Sequence, residues 1–168
     1  MHISISLNDE LIKALKLDGI NDLKKYQPAY GGESVGLDLY YAGKEPLHID
    51  GPHIVSDNGE IKKCLVPTGL KIMLPKNYAG LILDRGSISK TNLIRRAGVI
   101  DPGYTGEIFV NFLSVGGWVI KPYQKLPVQL VVIEANTLYK YVDQSSYQTL
   151  SEDSKRKDNK IGSTEKGE

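Results

Sequence analysis

From Val35 onward, glycine and proline cut the chain into short apolar runs that recur at a spacing of roughly eight to twelve residues, and this spacing limits the possible folds most. The runs are Gly36–Tyr41, Glu45–Ile49, Glu60–Val66, Gly69–Leu74, Ala79–Leu83, Asn92–Ile94, Ile108–Leu113, Trp118–Ile120 and Pro127–Ile133. Strand-length segments with turn signals between them predict an all-β antiparallel architecture, closed or double-layered. Asp57-Asn-Gly59 reads as a hairpin turn between two of them. The 10 tyrosines and the scarcity of helix-favouring runs point the same way. Ahead of this region, Ile3–Leu7 alternates like an opening strand. Asn8 or Asp9 then caps a short helix over Glu10–Leu17, with Leu11, Ala14 and Leu15 on its apolar face and Gly19 as its stop. Beyond that helix, residues 8–30 carry no readable motif. After Ser145 the chain turns polar and charged, and Tyr147, Leu150 and Ile161 are too few to build a core. The expectation is a β domain over 1–144 and a flexible arm over 145–168.

The chain's 168 residues suffice for one domain with a real core. Lys and Arg number 21 against 20 Asp and Glu, a net charge of +1, so no global field draws nucleic acid or a membrane surface. A lone cysteine, Cys64, excludes an intrachain disulfide framework and fits a reducing compartment. With only His2, His48 and His53 beside it, no spacing suits a structural zinc ion. No apolar stretch approaches the ~18 residues a membrane span needs. The N-terminus lacks the basic-then-apolar order of a signal peptide. These features predict a soluble, cytoplasmic chain.

Within the strand pattern, Gly98-Val-Ile-Asp-Pro-Gly-Tyr-Thr-Gly-Glu107 places one carboxylate, Asp101, on a tight Pro-Gly turn, with Tyr104 three residues further on. Pro102 fixes its own φ and Gly103 permits a positive φ, so the turn is stiff. A carboxylate presented beside a ring suits general-base work on a flat or sugar-like ligand; the same residues also serve where an Asp merely starts a turn. Asp38 interrupts the apolar run Val35-Gly-Leu-Asp-Leu-Tyr40, and it either meets an arginine or faces a site. Asp84-Arg-Gly-Ser-Ile-Ser-Lys90 offers a glycine, hydroxyls and two cations to an anion, without the Gly-Lys-Ser/Thr of a Walker loop; a plain polar turn has the same composition. Gln129 is a single amide in the apolar run after Lys121-Pro-Tyr-Gln124. Arg156 precedes Gly162-Ser-Thr164 in the arm, a segment that could order over an anionic ligand.

Taken in this order, the segments resemble the trimeric dUTPase family, which shares its fold with dCTP deaminases. Gly36-Leu-Asp-Leu-Tyr40 is similar to the family's first motif and Arg85-Gly-Ser87 falls at its second. The Asp101 turn matches the third closely, Gln129-Leu-Val131 looks like the end of the fourth, and Arg156 with Gly162-Ser-Thr164 resembles the fifth. The resemblance implies a jelly-roll-like β-barrel (a β-clip) whose homotrimer builds three shared active sites. It implies that Asp101 activates a water for attack on the α-phosphorus of dUTP, giving dUMP and pyrophosphate, since a carboxylate is ionised at neutral pH. Tyr104 would pack on the deoxyribose and leave no room for a 2′-hydroxyl. The backbones of Val99, Ile100 and Phe109 would bind the uracil edge and reject the exocyclic amine of cytosine. Arg85, Gly86 and Ser87 would hold phosphates from a neighbouring subunit, Gln129 would add a polar contact, and Asp38 would support a hydrated metal region. Arg156, Ile161, Gly162, Ser163 and Thr164 would close over base and γ-phosphate. Mg²⁺ would sit on triphosphate oxygens and waters, with no protein side chain as its ligand.

The alternative within the same fold is a dCTP deaminase or a bifunctional dCTP deaminase/dUTPase, and the sister deaminases use a Glu on the strand after the turn. Here the position ten residues beyond Asp101 is Asn111, whose amide has no useful basicity, and Glu107 stands too near the turn to replace it. Departures from the dUTPase pattern keep a non-catalytic nucleotide- or protein-binding module as another reading. Gly86 precedes Ser87 in the second motif, the fourth carries an extra residue at Pro127 and Val128, and Ile161 stands where the fifth has a Phe. Ile161 lacks the stacking that is worth about 1–3 kcal/mol per base in nucleic-acid sites, so weaker closure of the arm is expected.

Overall fold

The computed structural model describes residues 3–17, 33–51, 64–136 and 141–152. It divides into two units, Met1–Asn136 and Thr137–Glu168. The first opens with strand β1 (Ser4–Leu7) and helix α1 (Asp9–Ala14). Strands β2 (Leu37–Tyr40), β3 (Leu47–Ile49), β4 (Cys64–Met73) and β5 (Tyr78–Asp84) follow, then a 3-10 turn over Gly86–Lys90. β6 (Leu93–Arg96), β7 (Val99–Ile100), β8 (Glu107–Ser114), β9 (Trp118–Ile120) and β10 (Lys125–Glu134) complete it. One four-stranded sheet runs β1-β4-β8-β6, another β2-β10-β5-β7, and β3 with β9 forms a two-stranded ribbon. All the pairings are antiparallel.

This is the double-layered form of the expected jelly-roll-like fold. The described strands do not close into a barrel: β1 and β6 are the edges of one sheet, β2 and β7 of the other. Alternation puts every second side chain inward. Val66, Leu70, Val110 and Phe112 of the first sheet join Leu39, Ile82, Leu126 and Leu130 of the second in one buried core, with Ile49 and Ile120 from the ribbon and Leu11 from α1. Thr68, a buried polar residue among them, is satisfied: its Oγ1 donates to the Ile108 carbonyl at 2.6 Å and accepts from the Leu70 N–H at 3.2 Å.

Two runs expected as separate strands, Glu60–Val66 and Gly69–Leu74, are in the described part the single strand β4. Pro67 faces Phe109 and Lys71 faces Glu107, so four steps of β4 oppose two of β8. The Pro-Thr-Gly signal is a β-bulge, with Gly69 at φ +65°. The hairpin expected at Asp57-Asn-Gly59 lies outside the described residues. Helix α1 is capped by Asn8, whose Oδ1 accepts the Leu11 N–H at 2.8 Å. It ends at Ala14, short of Leu17, because Lys16 turns to φ 55°; Gly19 lies outside the described residues.

In the second unit, Gln144–Glu152 forms helix α2, in a stretch that the sequence predicts as a flexible arm and for which it signals no helix. Asp143 caps it, accepting the Ser146 N–H at 2.8 Å and the Ser145 hydroxyl at 2.6 Å. The Ser145 hydroxyl first, and then the Ser146 N–H, hold the Asp143 carboxyl at about 2.

Candidate active site

The site begins where the chain changes sheets. β6 pairs with β8 as far as Arg96 opposite Asn111, after which Ala97 (φ 58°) and Gly98 (φ +136°) swing the chain across to β5. There the Ile82 N–H donates to the Gly98 carbonyl at 2.8 Å, and β7 pairs Val99 with Leu81 and Ile100 with Gly80. Gly98 is required on two counts: its φ, and the 2.8 Å that would separate an added Cβ from the Cβ of Ile82. Peeling away from β8 opens a cleft. β7 is an edge strand, so half of its backbone groups are not spent on the sheet. Phe109 lies beyond the last residue that β6 pairs, which leaves its backbone open on the same side.

The hairpin closing this cleft carries the carboxylate. The Tyr104 N–H donates to the Asp101 carbonyl at 3.0 Å across Pro102 and Gly103. Gly103 does not adopt the positive φ that a glycine permits; near the site, positive φ falls on Ala97 and Gly98. Proline in the second position suits both type I and type II turns, and only type II needs a positive φ in the third, so Gly103 keeps a freedom that it does not use. The Tyr104 hydroxyl reaches back to the Glu107 carbonyl at 2.5 Å. Gly106 makes room for the ring, since an added Cβ would stand 2.6 Å from Tyr104 Oη. The result is a pocket of about 230 Å³ lined by Val99, Ile100, Asp101, Tyr104, Glu107, Ile108 and Phe109. Val99 (66 % exposed), Tyr104 (41 %) and Phe109 (43 %) remain at the surface around one carboxylate, as on a face awaiting an amphipathic ligand.

A second cluster lies at the far end of β5. Asp38 is bridged by two cations, Arg85 Nε at 2.9 Å and Lys125 Nζ at 2.7 Å. This answers the question left open for Asp38: it meets an arginine, beside a polar cluster. Its hydrogen bond, above all, raises the Lys125 ammonium above its usual range. Gln129 donates to the Asp84 carbonyl at 3.2 Å, and its amide fills the space over Gly36, where a Cβ would meet Oε1 at 2.1 Å. The extra residue read in the fourth motif falls within a register shift, where four steps of β10 between Lys125 and Gln129 oppose two of β2, two residues more than regular pairing needs. In the 3-10 turn the Ser89 hydroxyl is tied to the Gly86 carbonyl at 2.8 Å. Gly86 and Ser87 are exposed, and a Cβ on Gly86 would meet nothing within 4 Å.

The chain does not bring the two clusters together. Asp101 follows Ile100, the partner of Gly80, and so stands near the level of Ala79, six residues along β5 from Arg85. At about 3.3 Å per residue that is a separation of ~20 Å, more than a triphosphate spans. Of the residues read from sequence, Asp101, Tyr104, Val99, Ile100 and Phe109 line one pocket. Asp38, Arg85, Gly86, Ser87 and Gln129 gather at the other cluster. Arg156, Ile161, Gly162, Ser163 and Thr164 lie outside the described residues. Asn111 pairs with Leu65 and Arg96 across the strands and is not among the residues lining the pocket, though it shares the face of β8 that carries Phe109. Sequence reasoning missed Lys125, and it passed over Glu107 except as a misplaced base. Their signal was only a charge beside a motif.

A double-layered antiparallel fold that presents a carboxylate and ring on one hairpin, and an arginine-serine turn on the end of another strand, defines the dUTPase-like class. The dUTPase family model matches residues 26–165, and the chain belongs to the dUTPase family. It is 34% identical over 115 residues to the deoxyuridine 5'-triphosphate nucleotidohydrolase of Thermoanaerobacter sp. (strain X514), covering 66% of this chain and 70% of that protein. Among solved structures, native EIAV dUTPase is 30% identical with a TM-score of 0.51, over 67% of this chain and 86% of that one. A point mutant of the dUTPase of Staphylococcus bacteriophage 80alpha, solved with dUpNHpp, is 17% identical with a TM-score of 0.65, over 97% and 98%, a likeness of fold.

Proposed function

We propose that the chain hydrolyses dUTP to dUMP and pyrophosphate, and the observation that carries this reading is the Asp101–Tyr104 hairpin over the cleft between β7 and β8. The open backbone edges of Val99, Ile100 and Phe109 take the uracil, whose acceptors and donor a peptide edge complements. The Tyr104 ring lies against the deoxyribose. Asp101 takes a proton from a water whose oxygen attacks the α-phosphorus; the bond from that phosphorus to the bridging oxygen breaks, and pyrophosphate leaves. Asn111, whose amide has no useful basicity, gives the base no proton shuttle, which argues against deamination.

Arg85 and Ser87 bind the phosphates, with Gln129 beside them and Asp38 orienting the arginine. Ser87 is the hydroxyl for this role, because Ser89 is held by the turn. The ~20 Å between Asp101 and Arg85 along β5 means that one copy supplies the base and another the phosphate cations. A homotrimer with shared sites satisfies this, and the apolar outer face of the first sheet, with Leu65, Ile94 and Phe109 exposed, supplies a surface to bury. In the arm, Arg156, Ser163 and Thr164 close over the γ-phosphate and Ile161 over the base.

Asp38 gives its two oxygens to Arg85 and Lys125, so the donor set fits an Mg²⁺ that arrives hydrated on the triphosphate, not one gripped by this carboxylate. When bound, the ion neutralises phosphate charge. The direct test is purified protein with dUTP or dCTP and Mg²⁺, read separately for pyrophosphate, dUMP and ammonia. Pyrophosphate and dUMP from dUTP are expected; ammonia from dCTP, or saturable dUTP binding without product, would overturn the reading.

A further inference from the structure

Glu107 makes two contacts that join the pocket to the N-terminal segment for which the sequence offered no role. Its main-chain carbonyl receives the Tyr104 hydroxyl at 2.5 Å. Its side-chain Oε1 accepts the Gly69 N–H at 2.8 Å, across from β8 to the bulge of β4. Gly69 in turn gives its carbonyl to the Asn8 N–H at 2.9 Å, and Asn8 caps α1. An added Cβ on Gly69 would stand 2.7 Å from Asn8 Nδ2, so the bulge and the cap are seated directly on each other. Glu107 also walls both the Asp101 pocket and a second pocket, of about 300 Å³, lined by β1, α1 and the bulge.

The tyrosine is therefore anchored at its hydroxyl to a residue held twice, by its pairing with Lys71 and by a carboxylate clamp on the bulge. Pro102 and the Asp101–Tyr104 hydrogen bond fix the near end of the hairpin; the far end rests on Glu107, the first residue of β8, which pairs with Lys71 at the rim of the bulge. At the bulge the ladder is interrupted between Pro67 and Lys71, and the Glu107 side chain supplies the missing acceptor. We propose that Glu107 is a positioning residue for sugar selection: through its carboxylate on Gly69 it holds the carbonyl that pins the Tyr104 ring, and the β1–α1 segment buttresses this clamp. The inference rests on the reading that Tyr104 excludes a 2′-hydroxyl.

The experiment compares kcat/KM for dUTP and UTP in the wild type, Glu107→Ala, Glu107→Gln and Tyr104→Phe. Loss of the acceptor in Glu107→Ala is expected to shrink the dUTP:UTP ratio by about tenfold, through a gain on UTP as well as a loss on dUTP. Glu107→Gln, whose amide oxygen still accepts the Gly69 N–H, is expected to restore the ratio to within about threefold of wild type. Tyr104→Phe, which leaves the clamp and removes the pin, is expected to lower the ratio in the same direction. A Glu107→Ala protein that melts earlier and turns over more slowly but keeps the wild-type ratio would overturn the proposal. If Glu107→Ala does not fold, a Tyr104→Phe ratio equal to wild type overturns it alone. A wild type that hydrolyses neither nucleotide defeats the activity reading instead; the ratio is then taken from dUMP and UMP binding, with the same outcomes deciding.

Discussion

Asp101 and Tyr104 sit on a four-residue turn, yet the two are held differently. The carboxylate hangs from a proline turn closed by its own backbone, whereas the ring depends on a carbonyl three residues away. Asp101→Asn keeps the shape of the turn and removes only the base. It is expected to lower dUTP turnover by roughly 10²–10⁴-fold while leaving nucleotide binding within a few-fold, measured by pyrophosphate release and by calorimetry. Pyrophosphate production that survives the change would remove Asp101 from the mechanism. The pocket residues were legible because their roles follow from local sequence: a turn, a ring and two strands within Val99–Phe109. Glu107 and Lys125 were not, because their contacts lie 38 and 87 residues away at Gly69 and Asp38, and no local pattern marks such partners.

At the scale of elements, the sheet change at Ala97–Gly98 creates the cleft, and its geometry rests on one glycine. Gly98→Ala combines a strained φ with a clash against Ile82, and is expected to cost on the order of 1–3 kcal/mol in denaturant unfolding. Gly103→Ala, with no positive φ and open space around it, is expected to leave stability within about 0.5 kcal/mol. Equal effects at the two sites would contradict this account of how the cleft is shaped. Helix α2 offers a separate test of sign. The carboxyl of Asp143 lies below its ordinary value of 3.8, at about 2, so the cap stabilises the helix at higher pH and is lost as pH falls through about 2. An NMR titration of that carboxyl with a midpoint near 3.8 would show the cap unformed. Period-two alternation made most strands readable. It could not show that Pro67–Gly69 is a bulge and not a turn, nor that the two residues of β7 form a strand, since both follow from a partner strand's position. Helix α2 was missed because its capping aspartate precedes a run of polar residues with no apolar stripe.

The whole molecule adds what no single chain shows. Two clusters with complementary chemistry stand ~20 Å apart along β5, and an exposed apolar sheet face offers a surface for another copy to bury. A sizing measurement is expected to give a trimer; a stable monomer with full activity would end the shared-site account. The sharper measurement mixes two disabled proteins. Asp101→Asn and Arg85→Ala are each expected to be nearly inactive as pure assemblies. Refolded together at equal amounts, random association leaves about a quarter of the sites, one half times one half, with an intact base from one copy and an intact arginine from another. Recovery of pyrophosphate release toward about a quarter of the wild-type rate is the predicted result. No recovery in mixed assemblies would mean that each site is built within one chain, and would contradict the account.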